Sequence, residues 1–190
     1  MMPLHRRAAL GALAALAGCR STPPALYAIA AVPGDARRGG PQTVSLREVS
    51  LAQYLDRQSI VRSTTDHRLD VSSNDWWGEP LASMLTRVLA ENLGERLPDS
   101  SVVQSGGAIS VPAQATVEVN LQRLGLSTPE TLALVAQVAV NRRDGRRAGN
   151  ARTISLTVPV QGTGTQPFVA AASIAVGRLA DAIVGQLVVG

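Results

Sequence analysis

The chain reads NDWWGEPLASMLTRVLAENLGERLP from Asn74 to Pro98, and this stretch organises the rest of the domain. Its apolar residues recur with a period near 3.6, which is typical of an amphipathic helix with one buried face. They are Leu81, Leu85, Val88, Leu89, Leu93 and Leu97, with Ser83, Arg87, Glu91 and Glu95 on the other side. We expect a helix over 77–97, capped by Asn74 or Asp75, with Pro80 in its first turn and Pro98 marking its end.

The chain after this helix alternates with a period of two, which predicts β-strands. Three such strands run over 116–122, 132–140 and 153–158. One face of each strand is apolar and the other polar, so we expect an antiparallel sheet covered on a single side. A second helix over 168–187, apolar at helical spacing and rich in alanine, is expected to provide the cover together with the first.

The chain before the first helix predicts further strands over 26–32 and 43–50 and a short hairpin of 60–63 with 68–71. The expected fold class is therefore α+β, a two-layer antiparallel β-sheet with two main amphipathic helices packed on one face. The length is that of one domain. The residues expected to share one core are Leu85, Val88, Leu93, Leu179 and Ile183.

The N-terminus predicts a lipoprotein signal peptide. Residues 1–7 form a short n-region made basic by Arg6 and Arg7, and residues 8–17 are almost wholly apolar but too few to span a bilayer. The chain's only cysteine, Cys19, follows Leu-Ala-Gly at 16–18, where a lipobox carries its acylated thiol. We expect cleavage before Cys19 and a covalent diacylglycerol and N-acyl chain on it, with no other cofactor. The alternative is an alanine-rich signal peptide that contains a cysteine by chance.

These features divide the chain into a signal peptide (1–18), a lipidated tether (19–25) and one periplasmic domain (26–190). Two or three acyl chains would hold the protein on a membrane almost permanently. Arg20 follows the cysteine, where an aspartate would retain a lipoprotein in the inner membrane of enteric-type bacteria. Its absence favours the outer membrane, facing the periplasm, with the inner membrane as the alternative.

Composition argues against several classes of function. After the signal peptide the chain has a single histidine, His67, in a polar stretch beside Asp66, so we expect no catalytic residues. One histidine and no free cysteine also predict no metal site. The formal net charge is only +4 and aromatic residues make up 3% of the chain, so nucleic acid is not an expected partner.

Asp56-Arg57, after Tyr54, allows a structural and a functional interpretation. It is either a salt-bridged turn, which we favour, or a patch that a partner recognises. Trp76 and Trp77 precede the helix, and we expect one ring in the core and one on the surface, where it would suit a lipid interface.

A second charged motif is RRDGRR at 142–147, with Asp-Gly at the tip of a predicted hairpin. Its arginines are expected to be solvated, the alternative being contact with anionic phospholipid headgroups or an acidic partner. They are Arg142, Arg143, Arg146 and Arg147.

Two stretches resemble the signature blocks of the PqiC (YmbA)-like ABC-type transport auxiliary lipoproteins. YLDR at 54–57, followed by Ile-Val at 60–61, is similar to the family's YLDR-P-x-I-V segment. WGEPL at 77–81 is similar to its W-A-E-P-L helix start. The chain departs from the family pattern at Ala52, Gln58 and Gly78.

The resemblance implies a periplasmic lipoprotein that works beside an MCE-domain protein and an inner-membrane permease or ATPase. Such a system moves phospholipid between membranes and supports envelope integrity, and the lipoprotein would act by docking and not by catalysis. A homo-oligomer remains open. The alternative function is a stand-alone structural or assembly lipoprotein of the outer membrane. The candidates for partner docking are Tyr54, Asp56, Arg57, Trp77, Arg142, Arg143, Arg146 and Arg147.

Overall fold

The described residues of the computed structural model, 22–65, 68–109, 111–143 and 151–188, form one sheet and a layer of two α-helices. The strands are β1 (Ala25–Tyr27), β2 (Thr43–Leu46), β3 (Ser50–Leu51), β4 (Ser59–Thr65), β5 (Arg68–Trp77), β6 (Ser101–Gln104), β7 (Ala115–Thr128), β8 (Thr131–Arg142) and β9 (Arg152–Pro159). The helices are α1 (Leu81–Arg96) and α2 (Thr165–Val188), and a 3-10 helix spans Gln53–Leu55.

Strand β7 lies at the centre of the sheet. Along one edge it pairs with β8, and β8 pairs in turn with β9. Along the other edge, three short strands follow one another in chain order: β2 beside Ala115, β3 beside Asn120 and β4 beside Leu126. The strand path continues outward from β4 through β5 to β1, and from β2 to β6. The edges formed by β1 and β6 are therefore far apart.

The α+β class is confirmed, but the sheet is mixed rather than wholly antiparallel. The pairs β7–β8, β8–β9 and β4–β5 are antiparallel as expected. The strands β2, β3 and β4 run parallel to β7, and β1 runs parallel to β5. Alternation of side chains shows which face of a strand is buried, but it does not fix the direction of the neighbouring strand. Parallel neighbours need long connections, and α1 forms part of one between β2 and β7.

Helix α1 begins four residues later than the sequence predicted. Trp77 remains in β5, where its backbone N–H donates to the Gln58 carbonyl at 2.8 Å. Pro80 precedes the first helical residue and no side chain caps the helix, so the predicted caps are wrong. Asn74 and Asp75 belong to β5 because β4 and β1 pair with this part of the strand. The helix ends at Arg96, two residues before Pro98.

The predicted core is confirmed, and both helices pack on the same face of the sheet. Leu85, Val88, Leu93, Leu179 and Ile183 are all buried in one cluster with the inward side chains of β7 and β8. By length and composition α2 is apolar enough to cross a bilayer, but 67% of its most apolar window is buried inside the domain. We therefore assign α2 as a core helix.

Residues 28–37, called the strap below, cross the outer side of the helix layer. The sequence predicted a strand over 26–32, but β1 ends at Tyr27. Three backbone N–H groups of the strap donate instead to helix side chains: Ile29 to Met84 Sδ at 3.0 Å, Ala30 to Ser173 Oγ at 3.1 Å, and Val32 to Asn92 Oδ1 at 3.1 Å. These bonds satisfy the N–H groups that a strand ladder would otherwise engage.

The buried guanidinium of Arg96 joins both helices to the strap. Its Nε donates to Asp181 of α2 at 2.5 Å, and one terminal nitrogen donates to the Val32 carbonyl at 3.1 Å and to Asn92 Oδ1 at 3.1 Å. The Arg96 side chain is 2% exposed, whereas Asp181 is 53% exposed. The positive charge of Arg96 is therefore buried, whereas the negative charge of Asp181 is in contact with solvent.

The other predicted strands match the structure in part. The segment 43–50 forms β2 and the start of β3, and the hairpin over 60–71 is confirmed as β4 and β5. Strand β6 was not predicted, because four residues are too few for a periodic signal. The antiparallel pairing of β8 with β9 agrees with the hairpin predicted at 142–147. The tip of that hairpin lies outside the described residues.

We expect Leu85→Ala or Leu93→Ala to lower the free energy of unfolding by about 2 to 5 kcal/mol, because each leaves a cavity between α1 and the sheet. Ile174→Ala, at a position of α2 that is 41% exposed, is the control and should cost less than about 1 kcal/mol. Urea unfolding of the unlipidated domain measures all three. Losses near zero at both leucines would contradict this packing.

We expect Asp181→Ala to destabilise the fold by about 1 to 3 kcal/mol although Asp181 is half exposed, because it leaves the Arg96 cation buried without its counter-charge. The control is Glu91→Ala, which removes an exposed i,i+4 partner of Arg87 and should cost about 0.5 kcal/mol or less. The same unfolding measurement compares them. Equal, small losses would mean that the Arg96 charge is solvated.

Candidate docking surface

The segment Tyr54–Arg57 forms a turn whose first half is fixed in the protein. Leu55, in the 3-10 helix, is buried in the core. The Tyr54 hydroxyl donates to the Gln122 carbonyl of β7 at 3.3 Å, and partial burial raises the pKa of this phenol. The side chains of Tyr54 and Leu55 therefore attach the turn to the central strand.

The second half of the turn presents two charges to solvent. The Asp56 N–H donates to the Gln53 carbonyl and the Arg57 N–H donates to the Leu55 carbonyl at 2.9 Å, so the backbone is held. Both side chains are exposed. Within the described ranges neither makes an ion pair. The described residues therefore show no ion pair for the favoured interpretation, a salt-bridged turn, and the side chains of Asp56 and Arg57 both face solvent.

A polar groove of about 240 Å³ lies beside the turn. It is lined by Glu48, Ser50 and Asp56, with Ala82 at the start of α1. Glu48 and Ser50 also line a second groove of about 240 Å³, so the two grooves are neighbours. The first groove therefore reaches the turn at Asp56, and the second groove adjoins the first at Glu48 and Ser50.

The second groove lies on the face of the sheet that the helices leave uncovered. Its lining includes Asn120 of β7 and Gln137 of β8, which pair across the ladder. Arg47 and Glu118 form a surface ion pair there at 3.1 Å. The lining of this groove therefore offers hydrogen-bond donors and acceptors beside the apolar side chains of Val119, Ala139 and Ala151.

Trp77 does not contribute to this surface. Its ring is 3% exposed and packs in the core, and Trp76 is half buried. Trp77 is thus the expected core ring, but Trp76 is not a surface ring, because its Nε1 is buried and has no hydrogen-bond partner among the described residues. The sequence could not assign them, because the period of the chain changes from two to 3.6 at this point.

The arginines of the predicted hairpin have different environments. Arg142 is half buried and donates to the Leu187 carbonyl at 2.8 Å, close to the end of α2. Arginine side chains often satisfy carbonyls that a helix end leaves without partners, so Arg142 is structural and not simply solvated. Arg143 is exposed as expected. Arg146 and Arg147 lie outside the described residues, as do Cys19, Arg20 and His67.

Asp75 shows how a charged residue near the helix layer is used structurally. Its carboxylate accepts hydrogen bonds from Thr165, the first residue of α2, and from Ser72 at 2.8 Å. These two bonds, Thr165 first, lower the pKa of the Asp75 carboxyl. Through its Oδ2, Asp75 therefore ties β5 to α2.

Metal binding has no ligand cluster in the part of the chain that the structure describes. No group of three histidine, cysteine, aspartate or glutamate side chains there could hold a metal ion. The arrangement around the turn is suited to non-covalent recognition through charges and hydrogen bonds.

Two solved structures have the same fold at low sequence identity. One is an uncharacterised protein with a TM-score of 0.72 and 16% identity, covering 87% of this chain and 99% of its own. The other is a DUF330 protein from Xanthomonas campestris with a TM-score of 0.69 and 17% identity, covering 86% of this chain and 94% of its own. At this identity the likeness concerns the fold alone. No curated protein matches the chain.

The family is shown by the sequence itself. Residues 27–184, from β1 to the last turns of α2, match the family described as the ABC-type transport auxiliary lipoprotein component. The match includes the Tyr54–Arg57 turn and both helices of the core. The chain therefore belongs to the family of ABC-type transport auxiliary lipoproteins.

Proposed function

We propose that this protein is the lipid-anchored periplasmic accessory component of an MCE/ABC-type system that moves phospholipid between membranes. In this role it supports envelope integrity and acts by docking and not by catalysis. Its family supports a place beside a transport system. The MCE-domain partner, the inner-membrane permease or ATPase, and attachment to the outer membrane are parts of the proposal.

The Tyr54–Arg57 turn is the observation that carries the docking role. Asp56 and Arg57 are charged, exposed and without ion pairs in the described part of the chain. Their backbone is already fixed by buried Leu55 and by the hydrogen bond of Tyr54. A preorganised surface loses little conformational entropy on binding, so these charges can contribute to specificity and to association.

A stand-alone structural or assembly lipoprotein of the outer membrane is the alternative. The genes beside this one distinguish the two functions. An MCE-domain protein together with a permease or an ATPase would support the proposal. A locus without them would favour the structural lipoprotein.

We expect a photo-crosslinking residue at exposed Gln58, next to the turn, to capture an MCE-domain protein in intact cells. Arg57→Glu should lower the recovery roughly tenfold, the equivalent of about 1.4 kcal/mol, because it reverses a charge at the rim of the contact. Mass spectrometry of the crosslinked product identifies the partner. Recovery of only peptidoglycan or unrelated porins would favour the alternative.

Arg38→Glu is the matched control. Arg38 is exposed and directly follows the strap. The N–H of the preceding Arg37 donates to the Arg96 carbonyl, which places Arg38 near the C-terminal end of α1. Arg57 lies towards the other end of this helix, which at 16 residues is about 24 Å long. Arg38→Glu should leave the crosslink unchanged. An equal loss in both variants would show a general charge effect and contradict docking at the turn.

We expect Cys19→Ala to abolish labelling with palmitate and to move the protein from the membrane to the soluble fraction, because no other residue of the lipobox can be acylated through sulfur. Fractionation and metabolic labelling measure both effects. Cys19→Ala protein that still sediments with membranes and still incorporates palmitate would contradict lipid attachment at Cys19.

A further inference from the structure

The chain reaches the sheet only a few residues after the proposed attachment point. Pro23 is held against β5, since Asn74 Nδ2 donates to its carbonyl at 3.3 Å. Two residues later Ala25 begins β1, and it pairs with Asp75. An extended chain spans at most about 3.5 Å per residue, so the four steps from Cys19 to Pro23 cover at most about 14 Å. Acylation of Cys19 would therefore keep the β1 edge of the sheet close to the bilayer.

The β1 edge exposes apolar side chains. Leu26 is 63% exposed, and Ala25, Ala28 and Ala30 beside it are also exposed. Because neighbouring side chains of a strand point to opposite faces, the half-buried Tyr27 packs towards the core while Leu26 points outward. The described residues place no strand on the outer side of β1.

The same edge carries little free charge. The chain has no charged residue from Ser21 to Gly34. Two acidic residues lie in or just after β5, the strand that pairs with β1. Asp75 accepts hydrogen bonds from Thr165 and Ser72, and Glu79 forms an ion pair with Arg87. Contact with lipid at this edge would therefore desolvate few charges.

We propose that the β1 edge is a membrane-contact surface, with Leu26 seated in the interface of the phospholipid bilayer. The short tether brings this edge to the membrane, and the exposed leucine fixes the orientation of the domain on it. The inference rests on lipid attachment at Cys19, which belongs to the proposed function, but not on the identity of the transport partner.

The chain offers a matched pair of positions for a test. Ile109 is 69% exposed, nearly as Leu26 is, and it follows β6 at the opposite end of the strand path. Cys19 is the only native cysteine, and acylation would consume its thiol. Leu26→Cys or Ile109→Cys in the full lipidated chain therefore supplies a single site for an environment-sensitive fluorophore.

The labelled lipoproteins are placed in vesicles of phosphatidylethanolamine and phosphatidylglycerol that contain nitroxide-labelled acyl chains. We expect the probe at 26 to have blue-shifted emission and severalfold stronger quenching than the probe at 109. Leu26→Asp should weaken the quenching of a probe at Ala28→Cys, whereas Leu26→Ile should retain it.

Equal quenching at 26 and 109, or a probe at 26 in water, would overturn the proposal. So would a blue-shifted probe at 26 that nitroxide lipids do not quench, since a second copy of the chain would then cover Leu26. The mass of the purified protein reports acylation separately. An unacylated product would contradict attachment at Cys19, whereas an acylated protein with a solvated probe would contradict only the orientation.

Discussion

The buried guanidinium of Arg96 joins α1, α2 and the strap. Burying a charge is costly unless it is paired and hydrogen-bonded, and Arg96 is both, through Asp181, Asn92 and the Val32 carbonyl. Two glycines provide the space. A Cβ at Gly34 would lie 2.2 Å from Arg96 Cζ, and a Cβ at Gly177 would lie 2.2 Å from Val32 Cγ2. The strap can therefore lie close to the helices, and around the Arg96 guanidinium, only because these two positions carry no side chain.

The helix layer and strap cover one face of the sheet and leave the other face open. On the covered face, small residues of α2 such as Ala172 and Ala175 are fully buried and let the helix approach β8 closely. On the open face, side chains such as Glu118, Asn120 and Gln137 line a groove rather than a core. The side chains that hold the helices on the sheet and those that line the groove therefore lie on opposite faces of the same strands.

The sequence predicted the elements whose signals are local. The 3.6 period of α1 and the alternation of β7 and β8 each show which face is buried, and the structure agrees. Strand direction and the strap could not be predicted in this way. The apolar run 28–32 resembles a strand, but its N–H groups bond to Met84, Asn92 and Ser173, which are far away in the sequence. Likewise, the environment of Arg96 depends on Asp181, 85 residues later.

For the candidate site, sequence identified the Tyr54–Arg57 turn but not its geometry. An Asp-Arg pair in the sequence is compatible with an ion pair or with two free charges, and in the described residues both side chains are exposed and neither makes an ion pair. Strand pairing relates the turn to the proposed membrane edge. Leu26, Trp76 and Ser59 are paired in one row across three neighbouring strands. Strands lie about 4.8 Å apart, so Ser59, two residues after Arg57, is about 10 Å from the β1 edge. If Leu26 meets the bilayer, a partner that binds Arg57 must reach the protein close to the membrane surface, as a component of a transport assembly that delivers or collects lipid there would.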